Sequence, residues 1–328
     1  MKRRKKSNRL LALITRLLFL IILMGFCTMG LTYMAVQNNR QNNLKETRQA
    51  DTDDNRNDFP LNDLKDTFAV TGADLASRNA ILISLDDQEI LLDKDSNSFI
   101  YPASLTKIMT CILAIENLSD LNRSVTLSSH MFNGLYKDNA SLAGFLPGET
   151  VAALDLLYGI LLPSGAECSI GLAEHISGSE EEFVKLMNEK AAELHMDNTH
   201  FVNTTGLHDP DHYSTVSDIA ELLKYSLENE TFRMIFTAKR HSAKPTDLHP
   251  DGITFYSTMF RNMESAELKD GMILGGKTGY TSKAGLCLAS LAEINQKEYI
   301  MVTANAVGDH STAQYNIEDA FYTYGKIR

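Results

Sequence analysis

Twenty consecutive residues, Leu17–Val36, carry no charge, and the sixteen before them hold Lys2, Arg3, Arg4, Lys5, Lys6, Arg9 and Arg16. About 20 apolar residues are what a helix needs to cross a hydrocarbon layer of about 30 Å. Cations crowded against one end of such a run stay on the cytoplasmic side. A buried core helix is a poor alternative beside this cluster. A cleaved signal peptide wants a shorter apolar run and small residues at the cut, and Tyr33-Met34-Ala35 places Tyr where a small residue belongs. Phe26 likewise gives Cys27 a poor lipid-attachment context. The expectation is a basic cytoplasmic segment over 1–16, a retained transmembrane signal-anchor over 17–36, and everything after it outside the membrane.

Charge divides at this boundary. The chain carries −11, and residues 1–36 contribute seven cations and no acids, so residues 37–328 carry −11 − 7 = −18. So acidic an outer part argues against nucleic acid and against docking on an anionic lipid surface. Residues 37–69 are rich in Asn, Asp, Gln, Arg and Lys and read as a polar stalk. The four cysteines, Cys27, Cys111, Cys168 and Cys287, form no C-x-x-C pair, which excludes a dense disulfide scaffold and a zinc-type spacing. Free, buried thiols are expected, although an oxidising compartment would permit one bridge among the last three.

The folded part is expected over 70–328. Ala80–Ser84 and Glu89–Asp93 are apolar runs about a four-residue turn, which reads as a β-hairpin. Apolar residues at helical spacing follow over Leu105–Leu118, again up to Pro163, and over Glu180–His195 and Ser217–Glu228. Gly285–Ala292 and Glu298–Ala306 look like paired strands, and Ala313–Ile327 like a closing helix that leaves little room for a further C-terminal domain. Strands, a helical block, then strands again imply a mixed α/β (α+β) domain whose sheet joins segments distant in sequence.

Three groups carry chemistry. In Ser104-Leu105-Thr106-Lys107 a hydroxyl and an amine lie three apart, on one face of a helix, so a neutral Lys could take the Ser proton. The helix N-terminus would favour a developing oxyanion. Alone the motif is weak, since S-x-x-K arises by chance about once in a chain this long. Ser164 ends an apolar helical run, where the bland reading is a cap. Lys277-Thr278-Gly279 follows two glycines on an apparent strand, where the bland reading is a polar strand end. His208 and His212 are four apart, but Pro210 disfavours the helix that would bring them together, so a surface loop is expected there rather than a metal site.

In this order, Ser-x-x-Lys, a lone Ser and Lys-Thr-Gly resemble the signature of penicillin-binding proteins and serine β-lactamases. Tyr101-Pro-Ala-Ser-Leu-Thr-Lys107, Leu146-Pro-Gly-Glu149, Leu154-Asp-Leu-Leu-Tyr-Gly159, Phe201–Leu207 and Gly276-Lys-Thr-Gly-Tyr-Thr281 narrow this to the low-molecular-mass D-alanyl-D-alanine carboxypeptidases. The resemblance implies a β-lactamase/transpeptidase-like domain, with an antiparallel sheet flanked by helices and a helical subdomain. It implies Ser104 as nucleophile, Lys107 as its base, and Ser164 as proton relay. It implies Lys277 and Thr278 on the substrate carboxylate, with Gly279 and Tyr280 completing the binding strand and the Ser104 and Tyr280 N–H groups forming the oxyanion hole. The implied substrate is a peptidoglycan stem peptide ending in D-Ala-D-Ala, with β-lactams as covalent inhibitors, no cofactor, no metal and a monomeric enzyme on the bacterial cell membrane. Ala166 departs from the family's usual Asn, and Glu167 beside it either replaces part of that role or is exposed. A β-lactamase is the first alternative, but the Glu-x-x-Leu-Asn motif of its class A members is missing. A degenerate peptidoglycan-binding protein is the second, resting on Ala166.

Overall fold

The computed structural model describes residues 70–328, so the expected anchor over 17–36 and the stalk over 37–69 lie outside the described residues. Among those described, no helix is long and apolar enough to cross a membrane.

The chain opens with the expected hairpin, β1 (Asn79–Ser84) and β2 (Glu89–Lys94). A short 3-10 turn over Ala103–Leu105 leads into α1 (Thr106–Asn117). β3 (Ser124–Thr126) and β4 (Thr150–Ala152) form a small ribbon. The helical block follows as α2 (Ala153–Leu161), α3 (Ala166–Ser177), α4 (Glu180–Glu193), α5 (Val216–Leu227) and α6 (Glu230–Phe236). A second ribbon, β5 (Arg240–Ser242) with β6 (Thr254–Tyr256), precedes the one-turn α7 (Thr258–Arg261). The last third supplies β7 (Glu267–Leu268), β8 (Gly271–Thr281), β9 (Gly285–Ile294), β10 (Lys297–Ala306) and α8 (Tyr315–Tyr324).

Helix starts are written locally. Ser179 accepts from the Glu182 N–H at 3.1 Å ahead of α4, whose first turn holds Glu180–Glu182. Thr215 accepts from the Asp218 N–H at 3.0 Å and Asn229 from that of Phe232 at 3.0 Å. Each cap satisfies a donor that the helix itself leaves free. The closing helix is shorter than its sequence pattern. The Gln314 side chain donates to the carbonyls of Asp309 and Thr312, which holds 309–314 in a turn, and Gly325 follows the last residue.

One antiparallel sheet runs in the order β2-β1-β10-β9-β8-β7. β1 pairs with β10 from Asn79↔Ala304 to Ser84↔Tyr299, so the N-terminal hairpin is stitched to the C-terminal strands. Both faces of the central strands are buried. Ile81, Ile83, Ile300 and Val302 join the core beneath the helical block, while Ala80, Leu82, Tyr299 and Met301 join a second core under α8. Two buried faces explain why these strands read as continuous apolar runs rather than alternating ones. On the α8 side, the buried Tyr324 hydroxyl lies 3.1 Å from both the Ser290 hydroxyl and the Ser290 carbonyl. Tyr324→Phe removes the hydroxyl that reaches Ser290, although the Ser290 hydroxyl keeps the Met301 carbonyl at 3.3 Å, and is expected to cost about 1 kcal/mol, read as a lower denaturant midpoint at unchanged m-value.

Candidate active site

Four segments meet at the edge of β8. Ser104 sits in the 3-10 turn ahead of α1, and one turn on, Lys107 points back at it: Nζ donates to Ser104 Oγ at 3.3 Å and to the Thr205 carbonyl at 2.6 Å. Ser164 lies between α2 and α3, and the Lys277 Nζ on β8 donates to its Oγ at 2.9 Å and to the Thr278 carbonyl at 2.7 Å. The structure thus forms two serine–lysine couples. Both line, or abut, a cavity of about 580 Å³ bordered by Ser104, Lys107, Ser164, Ala166, Thr205 and the Thr278–Ser282 stretch. All seven residues singled out from the sequence converge there: Ser104, Lys107, Ser164, Lys277, Thr278, Gly279 and Tyr280.

Glycine at two positions makes this closeness possible. A Cβ on Gly279 would stand 3.1 Å from the Ser104 nitrogen, a tight contact that the glycine relieves where β8 passes the Ser104 turn. Gly206 has φ +77°, and a Cβ there would lie 1.8 Å from the Ala103 carbonyl oxygen. Ala103 and Ser164 themselves take left-handed backbone, φ +47° and +68°. Neither is a glycine, and both conformations are held by the packing around them, as is common at functional sites.

Burial sets the electrostatics. Lys107 is 2% exposed and Lys277 fully buried. Desolvation pulls Lys107 down to about 8, opposed by the charge of Glu167. Lys277 falls well below the ordinary lysine value, through burial first and then the neighbouring Lys107 charge. Glu167 is neither exposed nor part of the cavity wall. Its Oε1 accepts the N–H groups of Ala143 and Gly144 at 2.7 and 2.9 Å, and burial pushes its carboxyl up. It is therefore no substitute for an amide on the cavity face, where Ala166 presents only a methyl group.

The His-Asp-Pro-Asp-His stretch corrects the surface-loop expectation. It is a loop, and His208 is exposed, but His212 is 2% exposed. The Val202 N–H donates to His212 Nδ1 at 3.2 Å, which assigns the proton to Nε2 and lets it donate to Thr106 Oγ1 at 2.8 Å. Burial holds this imidazole down to about 4, so it stays neutral while it ties the 200–214 segment to the start of α1. Sequence pattern missed this residue because Pro210 argues only about helix. Among the described residues no cluster of ligands suits a metal, and Cys111, Cys168 and Cys287 are free and buried. Burial pushes Cys287 up to about 12 and Cys168 well above the ordinary thiol value, so neither is a thiolate near neutral pH.

The fold is that of a DD-transpeptidase. It superposes on the Streptomyces K15 DD-transpeptidase with a TM-score of 0.67 at 24% identity, covering 76% of this chain and 97% of that one. More narrowly, the chain belongs to the D-alanyl-D-alanine carboxypeptidase family of peptidases, S11, whose sequence model matches residues 66–308. It is 36% identical over 239 residues to the D-alanyl-D-alanine carboxypeptidase DacF of Bacillus subtilis, covering 70% of this chain and 57% of that protein. It is 31% identical to DacA of Haemophilus influenzae, covering 69% of this chain and 56% of that one. The chain thus spans under two thirds of the length of these curated relatives.

If neutral Lys107 is the group that deprotonates Ser104, only the fraction above its lowered pKa is competent. The second-order rate of labelling by a fluorescent penicillin should then climb about tenfold per pH unit below about 8 and level off above it. A rate flat from about pH 6 to 9.5 removes Lys107 as the base.

Proposed function

We propose that this protein removes the terminal D-Ala from peptidoglycan stem peptides through an acyl-enzyme on Ser104. The observation that carries the proposal is the contact of two buried lysines with two serines in one cavity, Lys107 on Ser104 at 3.3 Å and Lys277 on Ser164 at 2.9 Å. One couple is suited to making a nucleophile and the other to returning a proton.

The neutral Lys107 amine takes the Ser104 proton as Oγ attacks the carbonyl carbon of the penultimate D-Ala. The negative charge that develops on the carbonyl oxygen falls to the N–H groups of Ser104 and Tyr280. Gly279 supports this reading, because it lets β8 approach the Ser104 nitrogen. When the tetrahedral intermediate collapses, the C–N bond breaks and the leaving D-Ala nitrogen receives a proton from the Ser164 hydroxyl, which is refilled by the proton that Lys107 took from Ser104, so that Lys107 is neutral again and Lys277 stays an ammonium on Ser164. Lys277 and Thr278 also face the terminal carboxylate, where a buried cation binds strongly. Water, activated by the again-neutral Lys107, then releases the shortened peptide and frees Ser104. A β-lactam, whose strained amide mimics the same bond, acylates the same oxygen. No cofactor takes part.

We place this domain outside the bacterial cytoplasmic membrane, tethered by the uncharged run over 17–36 with its cations inside. The support is the charge pattern of the sequence. The −18 of residues 37–328 is consistent with an outer compartment away from nucleic acid.

Ser104→Ala is expected to abolish both penicillin labelling and D-Ala release from a stem pentapeptide. Retention of D-Ala release by this variant defeats the proposal. Ala166→Asn restores a side-chain donor to the cavity wall and is expected to raise D-Ala release by about tenfold, and no gain would show that the methyl group costs the enzyme nothing.

A further inference from the structure

The cavity is asymmetric in charge. Its cations, Lys107 and Lys277, are buried and already bound to serine and carbonyl oxygens. Asp138 is the one carboxylate among the described residues that line it. Asp138 is exposed, and among the described residues its carboxylate makes neither a hydrogen bond nor an ion pair. The loop that carries it is ordered: the Asp138 N–H donates to the Gly134 carbonyl at 2.9 Å and that of Ala140 to the Leu135 carbonyl at 2.9 Å. Further on, the Ala166 N–H donates to the Ser141 carbonyl at 2.8 Å, which fixes the same wall to the start of α3.

We propose that Asp138 is a specificity-determining residue, which selects acyl donors carrying a free ammonium on the side chain of the residue before the D-Ala pair. The inference rests on the carboxypeptidase reading above. That reading commits Lys277 and Thr278 to the substrate's terminal carboxylate and leaves Asp138 for the acyl side. A neutral side chain there leaves the carboxylate without a partner, and an anionic one is repelled. A primary ammonium gains an ion pair. Because Asp138 is solvated, the discrimination is modest, about fivefold, at the upper end for an exposed pair.

The test compares D-Ala release by the full-length chain from Nα-acetyl-L-Lys-D-Ala-D-Ala and from its Nε-acetylated counterpart. The ratio of the two kcat/KM values should be about five at low ionic strength, expressed mainly in KM. It should shrink in about 0.5 M salt, where the Debye length falls to a few ångströms. Asp138→Asn should bring the ratio close to one, and Asp138→Lys should bring it below one. Equal rates with the unaltered protein, or a preference that survives both substitutions, overturns the proposal while leaving D-Ala release intact. Release from neither peptide removes the carboxypeptidase reading, and this inference with it.

Discussion

Two ammonium groups are kept out of water in one cavity, and the rest of the site follows from the need to tolerate them. A buried charge is costly unless it is hydrogen-bonded, so each lysine is given two acceptors: Ser104 and the Thr205 carbonyl for Lys107, Ser164 and the Thr278 carbonyl for Lys277. Those acceptors come from the 3-10 turn ahead of α1, the 200–214 loop, the turn between α2 and α3, and β8. Desolvation pulls both amines below the ordinary lysine range, and for Lys277 the neighbouring Lys107 charge adds to it. The same burial that strains the folded state is thus what makes a lysine able to accept a proton from a serine near neutral pH.

Holding four segments in place falls to the sheet and to a few fixed points. β8 is secured along its length by β9, with Gly279 opposite Cys287 in register, and β9 is held by β10, which pairs with the N-terminal β1. On the other side of the cavity, His212 binds Thr106 and Gly206 packs on the Ala103 carbonyl, so the loop that presents the Thr205 carbonyl cannot drift from the turn that carries Ser104. The left-handed backbone at Ala103 and Ser164 makes physical sense in this setting. Residues so constrained keep an unfavourable backbone because the surrounding contacts leave no relaxed alternative.

Much of this was legible in the sequence, and the legible parts share a cause. The β1–β2 hairpin, α1, α4, α5 and the β9–β10 pair carry their own periodicity and turn residues, so local pattern suffices. The site residues could be named because a motif order, not any one motif, distinguishes them. Three features were not legible. The burial of His212 depends on bridges that bring Ile100 onto Ser214 and His200 onto Tyr213, contacts between segments over a hundred and over ten residues apart. The left-handed turns at Ala103 and Ser164 are not marked by glycine. The inward course of Glu167 depends on where the Ala143–Gly144 backbone passes, which periodicity does not encode.

Glu167 also clarifies what Ala166 changes. A side-chain amide at position 166 could serve the architecture, the substrate, or both. In this chain the architectural share is carried by other groups: the Ala166 N–H binds the Ser141 carbonyl at 2.8 Å, and Glu167 binds two consecutive N–H groups of the same wall, those of Ala143 and Gly144. Backbone bonds of this kind are indifferent to the side chain at 166. The methyl group therefore removes a donor from the cavity without loosening the wall that faces β8. The consequence is confined to how substrate is gripped, and the geometry of the two serine–lysine couples does not depend on it.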